Sequence, residues 1–180
     1  MVDEVPAFGD PILIRFRGTY DYDGLLAKIR KYFAEYDLKV EEPRFKFKQA
    51  GPGGAEADFR IKGWRLVSHY VRVDLQIDGH TWDTKRRTID VNGEKKVVTD
   101  GKIQMSINCK VSFDYAGAYA TKDKKKGEKF LLEWMKSRLD DYWASGLQHS
   151  ENFQTGILLI RHLVWELDKL IKEHLKMECV

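Results

Sequence analysis

The stretch Lys102-Ile103-Gln104-Met105-Ser106-Ile107-Asn108-Cys109-Lys110-Val111-Ser112-Phe113-Asp114-Tyr115 decides the fold class. Apolar and polar residues alternate through it without a fault. Successive side chains of a strand point to opposite faces. Ile103, Met105, Ile107, Cys109, Val111, Phe113 and Tyr115 therefore belong to a core, and the residues between them to water. A sheet with one dry and one wet face is antiparallel, because parallel sheets are covered on both sides.

Upstream of this strand lie the dipeptides Asp78-Gly79, Asn92-Gly93 and Asp100-Gly101. Such pairs tolerate the positive φ of tight hairpin turns. They predict a meander with strands over 67–77, 81–91 and 102–115. Two more strands precede it. One covers 40–48, interrupted early by Pro43, with Phe45 and Phe47 on one face. The other covers 56–62, with Phe59 and Ile61 inward. The run Ala50-Gly51-Pro52-Gly53-Gly54 reads as the loop between them. Ile12, Ile14 and Phe16 alternate with Arg15 and Arg17 in a first strand.

Three helices complete the pattern. Leu25, Leu26, Ile29, Tyr32, Phe33 and Tyr36 recur at helical spacing behind two candidate N-caps, Asp21 and Asp23. A second helix is expected over 128–144, ended by Gly146, and a third over 150–176. The expected fold is α+β: one antiparallel sheet of about six to seven strands, an N-terminal crossover helix, and two C-terminal helices packed on one face. The whole chain, 1–180, reads as a single domain with an irregular lead-in over 1–10. Its expected core is Ile14, Phe16, Leu26, Ile29, Phe33, Val73, Leu75, Ile103, Met105, Ile107, Val111, Phe113, Trp134, Ile157, Val164, Leu167 and Ile171.

Composition narrows the function. The 180 residues are 43% apolar and 33% charged, with a net charge of +3. That is too apolar for a disordered chain and too balanced for a dedicated polyanion binder. The two cysteines, Cys109 and Cys179, form neither a disulfide framework nor a zinc pattern, which fits a reducing compartment. No apolar run follows a basic start as in a signal peptide. None approaches the ~20 residues of a membrane-spanning helix. A cytoplasmic location is expected.

The segments Gly18-Thr19-Tyr20-Asp21-Tyr22-Asp23-Gly24-Leu25-Leu26, His69-Tyr70-Val71-Arg72-Val73-Asp74-Leu75-Gln76-Ile77 and Val111-Ser112-Phe113-Asp114-Tyr115, with the Trp- and Tyr-bearing helix and long last helix that follow, resemble a family of small archaeal proteins of unknown function. The resemblance implies no activity. The loop at 51–54 and the strand at 81–91 are more elaborate than that family's pattern. In element order the chain is also loosely similar to the helix-grip carriers, which implies an apolar ligand held between sheet and last helix.

No constellation announces catalysis. His162 and Glu166, four apart on a helix, are too few for a metal site, which needs three or four ligands. His149 and Ser150 lack an elbow motif. His69 reads as half-buried on a strand face and His80 as a turn residue. The pairs Asp21/Asp23, Glu41/Glu42 and Asp140/Asp141 read as caps or solvated charge. The expectation is a non-catalytic binding or scaffolding protein with protein partners, itself included, and with no cofactor and no metal. The candidate interface on the last helix is Leu158, Leu159, Leu163 and Leu170. One alternative is a carrier of a small hydrophobic ligand, with Trp64, Tyr70, Trp82, Trp134 and Tyr142 lining its cavity. A second is a phosphate-backbone binder through Arg44, Lys46, Lys48, Arg60 and Lys62. Interleaved Glu41, Glu42, Glu56 and Asp58 weigh against nucleic acid.

Overall fold

A computed structural model describes residues 3–6, 10–48, 54–91, 94–117, 119, 126–149 and 157–177. The elements run β1 (Asp3–Pro6), β2 (Ile12–Tyr20), α1 (Tyr22–Glu35), β3 (Lys39–Lys48), β4 (Ala55–Leu66), β5 (Val71–Val91), β6 (Glu94–Phe113), α2 (Lys126–His149) and α3 (Ile157–His174). The fold is α+β with one antiparallel sheet. Its six strands run β1-β6-β5-β4-β3, and β2 also pairs with β6. β1 and β2 lie end to end along one side of β6, so the sheet is five strands wide. β2 covers β6 from Ile107 to Thr99, and β1 covers it from Phe113 to Lys110.

The alternation holds across the sheet. Ile14 opposes Met105, Ile107 opposes Ile77, and Ile77 opposes Ile61. All of these are buried. α1 and α3 cover this face. From α1 come Leu25, Leu26, Ile29 and Phe33; from α3 come Leu163, Val164, Leu167 and Ile171, with Leu175 just past its end. Each fully buried side chain of this size is worth about 1.5–3 kcal/mol. The two helices are also bonded to each other, since the Tyr32 hydroxyl donates to the Leu163 carbonyl at 2.7 Å.

Asp21 is the N-cap of α1, as expected: its Oδ1 accepts from the Gly24 N–H at 2.8 Å. The same residue ties down two distant segments. Its Oδ2 lies 2.8 Å from Lys96 Nζ on β6, and its carbonyl accepts from His174 Nε2 at 2.8 Å at the end of α3.

Several expectations are corrected. The lead-in is not wholly irregular, because Asp3–Pro6 pairs with β6. Only one of the three turn signals joins two strands. β5 and β6 pair up to Val91↔Glu94, leaving Asn92-Gly93 between them. Asp78-Gly79 and Asp100-Gly101 lie inside the long strands instead. The glycines there serve packing. A β-carbon at Gly79 would overlap the Phe59 ring, and one at Gly101 would sit 2.9 Å from the Trp82 carbonyl oxygen. Interior strand glycines often mark such close approaches. β5 starts at Val71 rather than 67, because the Ser68 hydroxyl accepts from both Tyr70 N–H and Val71 N–H at 3.1 Å and makes a local turn. His69 is therefore exposed on that turn.

The second helix runs through Gly146 to His149; one interior glycine costs about 1 kcal/mol and does not end a helix. Nor do both C-terminal helices pack on the sheet. α2 lies beside α3, and Trp134, expected in the core, is 52% exposed. Phe16 packs at the core's margin, partly buried. The Ile157 side chain, Ser150 and loop residues 50–53 lie outside the described side chains or residues.

Candidate functional site

α2 carries its apolar residues on two rows. Leu132 and Leu139, seven apart, are half-buried, and Leu139 packs against the core. Phe130, Leu131, Trp134, Met135 and Tyr142 form the other row, and they are exposed by 73%, 55%, 52%, 38% and 67%. No described element covers that row. Arg138 reaches back over the Trp134 ring, its guanidinium carbon 5.8 Å from the centroid. Large contiguous apolar patches on a protein surface mark interaction sites. The helix holds four Lys or Arg and four Asp or Glu, so it lacks the basic excess of a helix that lies on a lipid surface.

The uncovered face of the sheet is the second surface. Register places Arg44 opposite Arg60, Lys46 opposite Asp58, Lys48 opposite Glu56, and Lys62 opposite Glu41. The five basic candidates therefore do share a face. It is a mixed face, however: Arg44 Nη2 lies 3.5 Å from Asp58 Oδ2, and Arg60 Nε donates to Asp78 Oδ1 at 2.5 Å. A depression of about 270 Å³ opens here, lined by Arg44, Asp58, Arg60, Asp78, His80, Gln104 and Ser106.

His80, read from sequence as a turn residue, is placed differently by the structure. It is interior to β5, opposite Asp58, and its Nδ1 bonds the Asp58 carboxylate. That bond is the main cause holding the Asp58 carboxyl below its ordinary range. The imidazole packs on Trp82 with centroids 4.1 Å apart, and its Nε2 is buried with no partner among the described residues. The misplacement follows from reading Asp78-Gly79 as a turn.

The five ligand-cavity candidates do not converge. Trp64 is on the uncovered sheet face, where its Nε1 donates to Glu41 and Lys39 and Arg72 stand over its ring. Trp82 shares that face through its register with Lys102. Tyr70 is in the core against Phe113 and Tyr119. Trp134 and Tyr142 are out on α2. The space between sheet and last helix is filled by Leu163, Val164, Leu167, Ile171 and Leu175, each at most 2% exposed. Of the interface candidates on α3, Leu163 is one of these core residues and Leu170 is packed beside them. The side chains of Leu158 and Leu159 lie outside the described ones.

Among the described residues, no three His, Cys, Asp or Glu are placed to hold one metal ion. Burial pushes the Cys109 thiol up to about 12, which keeps it protonated and inert. No described helix is long and apolar enough to cross a membrane. No protein-family model matches the chain, and neither does any curated protein.

Proposed function

We propose that this is a non-catalytic binding protein that docks through the outward row of α2, and that the partner there is a second copy of the chain. The observation that carries this is the exposure of Phe130, Leu131, Trp134, Met135 and Tyr142 on a helix whose other apolar row, Leu132 and Leu139, is already half-buried. A 24-residue helix is about 36 Å long, long enough for a substantial helix-to-helix contact. Its balanced charge suits self-pairing: a two-fold axis at Met135 sets Lys129 of one helix against Asp141 of the other. Two-fold pairing is the commonest assembly of soluble proteins. Sedimentation of the full chain tests it. The dimer mass should appear in the wild type and be lost in Trp134→Glu; a monomer at every concentration contradicts it.

A second reading has its own observation. Arg44 and Arg60 face each other, and Lys46, Lys48 and Lys62 flank them without an ion pair among the described residues. Such a stripe fits contact with a phosphate backbone. The resemblance to small archaeal proteins of unknown function adds no activity to either reading.

A further inference from the structure

Beyond the first residue of α1, the helix-covered face of the sheet continues with no described helix over it. Phe45 and Phe47 point to this side, opposite Phe59 and Ala57 in the β3–β4 register, yet they are 57% and 58% exposed. Below them Ala55 and Ala57 are too small to fill the space. The result is a pocket of about 140 Å³ with Tyr22, Phe45, Phe47 and Arg86 on its walls. An apolar cavity of ~150 Å³ takes one benzene ring.

The polar groups of this pocket are unequal. Thr84 Oγ1 donates to the Ala55 carbonyl at 2.6 Å, and Thr81 Oγ1 accepts from the Ala57 N–H at 3.0 Å, so both hydroxyls are occupied by β4. The Tyr22 hydroxyl is not. Its side chain is on the pocket wall and only 8% exposed, and the oxygen is closed to solvent, with no hydrogen-bond partner among the described residues, so Tyr22 offers the pocket its ring. Arg86 is held only loosely, its Nη2 3.9 Å from Asp23 Oδ1. Its planar fork matches a carboxylate.

We infer that this pocket is a binding site for a single-ring aromatic carboxylate, the ring between Phe45, Phe47 and Tyr22 and the carboxylate at Arg86. No α3 residue lines it, so it is separate from a cavity of the helix-grip kind. It is also independent of docking through α2.

The test is titration of the isotope-labelled full chain, followed by amide NMR, with benzoate, benzyl alcohol and acetate as probes. Benzoate should give saturable shifts at Phe47, Ala57, Thr81 and Thr99, benzyl alcohol weaker ones, and acetate none. Arg86→Gln should weaken benzoate about tenfold, as expected for a lost charged hydrogen bond, and leave benzyl alcohol unchanged. Ala55→Leu, which fills the pocket, should abolish both while the remaining amide spectrum stays folded. The inference is overturned if benzoate gives no saturable shifts at these amides, if acetate binds as well as benzoate, or if a folded Ala55→Leu binds benzoate like the wild type.

Discussion

The ring of Phe59 on β4 occupies the space that a side chain at Gly79 on β5 would need. The two residues are direct cross-strand partners on the buried face, and Tyr22 meets the same ring edge-on at 6.0 Å. Gly79→Ala should therefore force the ring aside and cost about 2 kcal/mol, the usual scale for overpacking a core. Urea denaturation checks it. An unchanged stability in Gly79→Ala would contradict this contact.

Asp21 supports two different predictions. Burial disfavours its charge, but the Lys96 ion pair and the Gly24 N–H outweigh burial and hold its carboxyl below the ordinary range. A depressed carboxyl stabilises the fold above its unfolded value, and that contribution fades as pH falls through the folded value. Asp21→Asn keeps a capping oxygen and loses the charge. Its deficit against wild type should be present at neutral pH and shrink in acid. Asp21→Ala loses the cap as well and should cost about 1 kcal/mol even where the charge no longer counts. Thermal melts over a pH series separate the two.

The bond from Tyr32 to the Leu163 carbonyl joins helices 131 positions apart in sequence. Tyr32→Phe removes the donor and leaves the ring. The loss should be about 1 kcal/mol, the net worth of one buried hydrogen bond. Amide exchange should then quicken in α3 before it does in the β5–β6 pair, because α3 is held by its apolar face and, among the described residues, by this bond and the one from His174 to the Asp21 carbonyl. Equal loss of protection across α3 and the sheet would contradict this.

On the uncovered sheet face, phosphate contact has a salt signature. Each neutralised phosphate releases counterions, so affinity falls steeply with salt. A short single-stranded oligonucleotide should bind at low salt, and the double variant Lys46→Gln, Lys62→Gln should flatten the salt slope. Neither lysine has an ion pair to lose among the described residues, so folding should be unaffected. No binding at low salt removes this reading.

Much of the sheet was legible in local pattern, because burial on one face writes itself as period two. Ile103 to Phe113, Phe59 with Ile61, and Ile14 were all placed inward from alternation alone, and all are buried. The failures came where long-range packing overrides local chemistry. Asp78-Gly79 and Asp100-Gly101 have turn composition, but their missing side chains make room for Phe59 and for the Trp82 backbone. That error displaced His80 from a strand interior into a turn and hid its pairing with Asp58. Periodicity gives α2 one broad apolar side that includes Trp134 and Leu139 and passes over Leu132, and it cannot say which part of that side is covered. Trp134 was assigned to the core for that reason, although Leu132 and Leu139 take the inner positions.

Hydroxyl-radical footprinting read by mass spectrometry, across a range of protein concentration, asks directly whether α2's outward row is covered in solution. Trp134 and Met135 are oxidised at rates set by solvent access, and Trp165 on α3, 67% exposed, reports the unprotected rate. Self-docking predicts that Trp134 and Met135 are slow at high concentration and speed up on dilution while Trp165 does not change. Oxidation of Trp134 and Met135 at one fast rate at every concentration would contradict it.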